Sequence, residues 1–186
     1  MKKVVFKVLI AVVAAFLLAA SSGFLLFKVV ERRVVSRMRA PKLKVERKFA
    51  SDLVFRTLDG QPRRLSESKG KVVFLDLWGT WCVQCVAEMP KVQALYDHYR
   101  SDPDVTFLVV SRLDTPQQVR AYARRNNFSL PFYLMRDEDI PKTMRLDQFP
   151  STFLYAKDGS MVVEHVGAAD WADSSVVSLI DRLKQQ

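Results

Sequence analysis

From Leu53 onward, short apolar runs alternate with stripes of helical period, and turn-forming residues separate them. Leu53-Val54-Phe55-Arg56-Thr57-Leu58, then Asp59-Gly60, then Arg63-Arg64-Leu65 reads as a small hairpin turning at Asp-Gly. Val72-Val73-Phe74-Leu75-Asp76-Leu77-Trp78 is almost continuously apolar, the pattern of a strand buried on both faces. A helix is expected from about Val83 to Tyr99, with Val83, Val86, Val92, Leu95, Tyr96 and Tyr99 toward one side and Pro90 as a kink. Val105 to Val110 is a second buried strand. Thr115-Pro116-Gln117-Gln118 then supplies a cap, a proline at the first helical position and a glutamine three residues after the cap, opening a helix to about Asn126.

Phe132 to Met135 follows as a short strand and Asp139 to Arg145 as a short helix. Ser151 to Tyr155 and Met161 to Val166 flank Lys157-Asp158-Gly159-Ser160 as a second hairpin, and Val176, Val177, Ile180 and Leu183 stripe a closing helix. Strands alternating with helices, ending in an antiparallel pair and a helix, predict an α/β domain: a mixed central sheet with helices on both faces.

The amino-terminal part is different. Val8 to Phe27 is a run of 20 uncharged residues bounded by Lys2, Lys3 and Lys7 before it and Lys28 after it. As a helix it would span about 30 Å, the thickness of a bilayer's hydrocarbon core. The competing reading is a cleaved signal peptide, because Ala19-Ala20-Ser21-Ser22 resembles a small-residue cleavage site. Gly23-Phe24-Leu25-Leu26-Phe27 resumes the apolar run, longer than an ordinary signal core, which favours a retained single-pass anchor over cleavage or a buried core helix. The chain thus divides into an anchor (1–30), a basic juxtamembrane linker (31–48) and a globular domain (49–186).

Charge follows the same division. Residues 1–48 hold 12 of the 29 Lys and Arg and 2 of the 20 acidic residues, leaving 17 basic and 18 acidic residues for the remainder. The overall excess of +9 therefore belongs to the amino-terminal arm. A nearly neutral globular part excludes nucleic acid as partner and points the arm at anionic phospholipid. Arg32, Arg33, Arg37, Arg39, Lys42, Lys44, Arg47 and Lys48 all follow the span, and the positive-inside rule read literally would hold the domain in the cytoplasm.

The candidate chemistry lies where the first buried strand ends, at Trp78-Gly79-Thr80-Trp81-Cys82-Val83-Gln84-Cys85. Two cysteines separated by two residues at a helix start can close a disulfide within one turn, and helix-end amides favour the thiolate of the first. At an ordinary thiol pKa near 8.5 only about 3% is ionised at pH 7, whereas a pKa near 7 makes about half available. Cys82 is the candidate nucleophile, and Cys85 the thiol that resolves a mixed disulfide. With no further cysteine, and with His98 and His165 too far apart in sequence to pair as ligands, a zinc site is disfavoured. No cofactor beyond the Cys82–Cys85 pair is expected.

These residues resemble the thioredoxin superfamily, specifically the membrane-tethered TlpA/ResA-like thiol–disulfide oxidoreductases, over Asp52 to Leu183. The resemblance rests on the amino-terminal hairpin, Leu77-Trp78-Gly79-Thr80-Trp81-Cys82-x-x-Cys85, the continuation Val86-Ala87-Glu88-Met89-Pro90, and Phe149-Pro150-Ser151-Thr152-Phe153. Thr115 to Asp147 is similar to that family's central insertion of a helix and a strand. The resemblance implies that Pro150 is cis and lies against the cysteines, its alternative being an ordinary trans proline at a strand start. It makes Phe149 a backbone partner for an extended substrate. Trp81 would be an apolar lip beside the nucleophile rather than a core tryptophan. Asp76, six positions before Cys82, matches the buried acid of thioredoxin, which could take the Cys85 proton through a water. Glu88 matches an acid that relatives place near the site; it is a second proton acceptor or a surface partner of Lys91.

Val83-Gln84 between the cysteines carries no charge, where strongly oxidising relatives place a histidine, so reduction is favoured over oxidation. Two other classes compete. A peroxiredoxin-like peroxidase of the AhpC/TSA kind places Thr or Ser three residues before its cysteine and Pro seven before; Gly79 and Leu75 stand there. A Sco-like copper module needs two cysteines three residues apart plus a histidine, for which only His165 could serve. The resemblance implies reduction of protein disulfides outside a bacterial cytoplasmic membrane, with a membrane thiol–disulfide electron donor. Cytochrome c maturation and general redox homeostasis are its candidate settings.

Overall fold

The computed structural model of the 186-residue chain describes residues 21–30, 32–35, 38–41, 43, 47–48, 52–140 and 148–186. The chain separates into a unit ending at Arg37 and a compact unit from Met38 to Gln186. In the first unit residues 21–30 and 32–35 are helical, and Phe24, Leu25 and Leu26 are each about two-thirds exposed. Among the described residues no helix is long and apolar enough to cross a membrane; positions 8–20 of the expected span lie outside them.

Among its described residues the compact unit has eight strands: β1 (Arg47–Lys48), β2 (Val54–Thr57), β3 (Pro62–Arg64), β4 (Val72–Trp78), β5 (Val105–Arg112), β6 (Phe132–Met135), β7 (Ser151–Tyr155) and β8 (Ser160–Val166). Their spatial order is β1-β8-β7-β4-β5-β6-β2-β3. β4, β5 and β6 run parallel and the other neighbours antiparallel, so the sheet is mixed, as expected. Gly60 and Gly159 take the left-handed conformations their hairpin turns require.

Among the described residues of the compact unit three α-helices accompany the sheet: α1 (Val83–Tyr99), α2 (Pro116–Asn126) and α3 (Ser174–Lys184). The Thr115 capping box opens α2 as its sequence implies, and Asn127 closes it in the left-handed conformation. Of the helices expected on the two faces, the three α-helices described in the compact unit pack on the face carrying Val72, Phe74 and Trp78. The reason is topological: β4, β5 and β6 are adjacent and successive. Two right-handed crossovers advancing in one direction across a sheet put α1 and α2 on the same side. Among the described residues the opposite face, with Val73, Leu75 and Leu77, is covered by Leu53, Leu65 and Ile140. Of the short helix expected over 139–145, Asp139 ends a 3-10 turn (Asp137–Asp139), and positions 141–145 lie outside the described residues.

Of the stretch expected as linker (31–48), the described residues from Met38 onward fall in the compact unit. Pro41 is buried, Leu43 packs on the helical core, the Arg39 carbonyl accepts the Asp170 amide at 3.0 Å, and Arg47–Lys48 forms the edge strand on β8. A half-apolar segment beside an open sheet edge is held by pairing with it, whatever its charge.

Candidate active site

β4 ends in a tight turn, Gly79-Thr80-Trp81-Cys82, closed by the Cys82 amide donating to the Gly79 carbonyl at 3.1 Å. Cys82 is then the N-cap of α1: its Sγ accepts the Cys85 amide at 3.2 Å, and its carbonyl accepts the Val86 amide at 3.0 Å. Sulfur thus occupies the place usually held by a Ser or Asp oxygen, at the helix end whose partial positive charge stabilises an anion. The two cysteines form a disulfide with Cα atoms 5.3 Å apart. Cys82 retains 8% exposure and Cys85 none, so an attacking group reaches only the first sulfur.

Trp81 is half exposed and forms a lip, not part of the core. Its indole N–H donates to the Arg112 carbonyl at 3.1 Å, and its ring meets Phe149 edge-to-face at 5.2 Å. A Cβ at Gly79 would lie 2.4 Å from the Trp81 indole nitrogen, so this turn position needs glycine. The Trp81–Phe149 contact brings the far end of the chain to the cysteines: the Phe149–Pro150 bond is cis, Pro150 is buried, and its carbonyl accepts the Gly167 amide at 2.9 Å. β7 starts pairing at Ser151, leaving Phe149 just ahead of the sheet.

Asp76 and Glu88 are both fully buried. Asp76 alternates onto the face of β4 that carries Phe74 and Trp78, the face on which α1 packs. Its Oδ1 accepts the Thr152 hydroxyl at 2.9 Å, and its Oδ2 has no hydrogen-bond partner among the described residues. Burial pushes its pKa up to about 7, with the Thr152 hydrogen bond opposing. Glu88, one turn beyond Cys85, accepts the Ala169 amide and the Trp171 indole N–H on Oε2, both at 3.0 Å; its Oε1 has no partner among the described residues. Burial and then repulsion from Asp76 push Glu88 well above the usual carboxylate range. Two desolvated acids that oppose each other's ionisation retain a proton between them near neutral pH. The surface pairing of Glu88 with Lys91 does not occur: Lys91 reaches Asp170 at 2.8 Å instead. Glu88 faces inward because Cys85, Glu88, Met89, Val92, Leu95 and Tyr99 form the buried stripe of α1, whereas Val83 is exposed beside Cys82.

One part of the site left no trace in the sequence. The Asp114 carboxylate accepts the Thr80 amide at 2.8 Å, the Thr80 hydroxyl at 2.6 Å and the Ser111 hydroxyl at 2.6 Å. Asp114 reads as an ordinary loop acid before a helix cap; only the adjacency of β4 and β5 reveals what it touches. Among the described residues no three His, Cys, Asp or Glu side chains are grouped to hold a metal.

A mixed sheet whose inner strand ends in a CxxC pair capping a helix, with a cis-proline loop beside it, defines a thioredoxin-like protein. The chain belongs to the AhpC/TSA family, whose model matches residues 38–164. It is 35% identical over 112 residues to the thiol-disulfide oxidoreductase ResA of Geobacillus kaustophilus, an alignment covering 60% of this chain and 64% of that relative, just under two thirds. A ResA of Bacillus thuringiensis is 29% identical over 162 residues, covering 87% of this chain and 88% of its own. Among solved structures, a candidate thiol-disulfide oxidoreductase from Bacteroides vulgatus superposes with a TM-score of 0.61 at 29% identity, covering 72% of this chain and 93% of its own.

Proposed function

We propose that this protein is a thiol–disulfide oxidoreductase that reduces protein disulfides. The observation that carries the reading is Cys82 Sγ at the N-cap of α1, accepting the Cys85 amide, while Cys85 is wholly buried behind it. In the reduced protein the Cys82 thiolate attacks one sulfur of a client disulfide, forming a mixed disulfide and expelling the other client thiolate. Cys85 then loses its proton to the Asp76–Glu88 pair and attacks Cys82 Sγ, releasing the second client thiolate. Two electrons pass to the client and the Cys82–Cys85 disulfide forms. Trp81, Phe149 and Pro150 line the approach, and Phe149 offers backbone ahead of β7 to an extended client segment. The names of the ResA relatives support this chemistry. The peroxidase reading lacks support at Gly79 and Leu75, although the family model carries the AhpC/TSA name.

The reading extends to an amino-terminal anchor over Val8 to Phe27, supported by the uncharged run and the exposed Phe24, Leu25 and Leu26. The domain then stands outside a bacterial cytoplasmic membrane, re-reduced by a membrane thiol–disulfide donor, with cytochrome c maturation as the setting that needs free thiols. Insulin-disulfide reduction tests the chemistry: it should vanish in Cys82→Ser, and full activity of Cys82→Ser/Cys85→Ser would end the reading. Protease added outside spheroplasts should remove the domain; protection behind a sealed membrane would place it inside.

A further inference from the structure

We propose that Asp114 is a positioning residue for the nucleophile, setting the Gly79–Cys82 turn so that Cys82 Sγ meets the Cys85 amide. The inference rests on the dithiol reading above and adds a residue to it. The turn that delivers Cys82 is held internally by one backbone hydrogen bond, Cys82 to Gly79. The hydrogen bonds that reach Thr80 and Trp81 from the rest of the fold come from Arg112, the last residue of β5, and Asp114, two residues on. Asp114 holds both the backbone and the side chain of Thr80, the second residue of the turn, and the Arg112 carbonyl holds the indole of Trp81, the third. Ser111, itself fully buried, fixes the Asp114 carboxylate from behind.

The backbone of this segment carries the mark of that task. Leu113 adopts φ 65, a left-handed conformation that a branched apolar residue rarely takes, and its side chain is 66% exposed. An exposed leucine gains nothing from such a conformation. Turning the chain there directs the Arg112 carbonyl and the Asp114 carboxylate at the same loop. The Arg112 guanidinium also lies over the Phe149 ring at 5.9 Å while pairing with Asp137 at 3.0 Å, so the segment touches both halves of the site.

Charge and position predict opposite signs, which makes the role testable. The groups facing the Cys82 thiolate are the α1 amino terminus, the buried Asp76 and Glu88, Asp114 itself, and the Arg112 guanidinium over Phe149 with its partner Asp137. Removing only the Asp114 charge should favour the thiolate. Releasing the turn should weaken the Sγ···H–N alignment and disfavour it. The full-length protein, reduced and assayed by the pH profile of iodoacetamide alkylation at Cys82, separates these. Asp114→Asn keeps an oxygen for the Thr80 amide and the Ser111 hydroxyl, and should react at least as fast as wild type at pH 7. Asp114→Ala should react about five-fold more slowly than Asp114→Asn at pH 7, the effect of a one-unit rise in thiol pKa from about 7. If Asp114→Ala does not fold, Thr80→Val, which loses only the hydroxyl contact, should slow alkylation at pH 7 about two-fold, an order-of-magnitude share of the same shift. Coincident profiles for Asp114→Ala and Asp114→Asn, or an unchanged profile for Thr80→Val, would overturn the positioning role. A wild-type Cys82 that ignores iodoacetamide at neutral pH defeats the dithiol reading itself, a separate outcome.

Discussion

The Cys82 sulfur does two jobs that ordinarily fall to different atoms: it caps a helix and it is the nucleophile. An amide that satisfies a cap also stabilises negative charge, so the oxidised contact from the Cys85 amide at 3.2 Å should strengthen once the sulfur is ionised. Replacing Cys85 by Ser should therefore preserve attack by Cys82 but stop resolution, and covalent client adducts sensitive to reductant should accumulate on gels. Gly79→Ala makes a complementary case. Its new methyl collides with the Trp81 indole, so the lip must leave Phe149 and the Arg112 carbonyl. Client reduction should fall by roughly ten-fold or more, given the sensitivity of such reactions to small misplacements, with a red shift in tryptophan emission as the companion signal.

Among the elements, α1 best illustrates what patterning can and cannot convey. Its bounds, Val83–Tyr99, follow from the apolar stripe and the strand-to-helix junction, and Pro90 lies within it. Its orientation near the site does not follow: a stripe drawn from Val83 and Val86 places apolar residues inward, while the structure buries Cys85 and Glu88 and exposes Val83. Site residues break the periodicity because a reactive pair needs a buried acid behind it and apolar surface in front. The distal end of α1 behaves as ordinary core. The Tyr99 hydroxyl donates to the Val177 carbonyl at 3.1 Å or the Asp181 carboxylate at 3.0 Å, tying α1 to α3. Tyr99→Phe should cost about 1–2 kcal/mol in denaturant unfolding and leave insulin reduction unchanged.

For the molecule as a whole, the buried acids couple stability to pH. The folded-state pKa of Asp76, about 7, exceeds its unfolded value near 3.8, so the folded protein binds more protons between those limits. Stability should accordingly fall as pH rises from about 4 to about 7, on the order of 4 kcal/mol from Asp76, with Glu88 adding in the same direction. Urea midpoints across that range should drop for wild type and drop less steeply in Asp76→Asn, where Glu88 alone remains; the same variant should also slow disulfide closure. The features legible along the chain are those settled between near neighbours: the hairpin turns at Gly60 and Gly159, the Thr115 cap, the CxxC pair at a helix start, and the buried strands. Spacing and conformational preference are properties of a few adjacent residues, so they survive without knowledge of the fold. Other features required the assembled sheet. Thr80 and Asp114 are 34 residues apart, Asp76 and Thr152 are 76 apart, and the donors to Glu88 are 81 and 83 residues away. Their partnerships, the packing of the three described α-helices on one face and the elevated acidities all depend on which distant segments strand order brings together, and on the water those segments exclude.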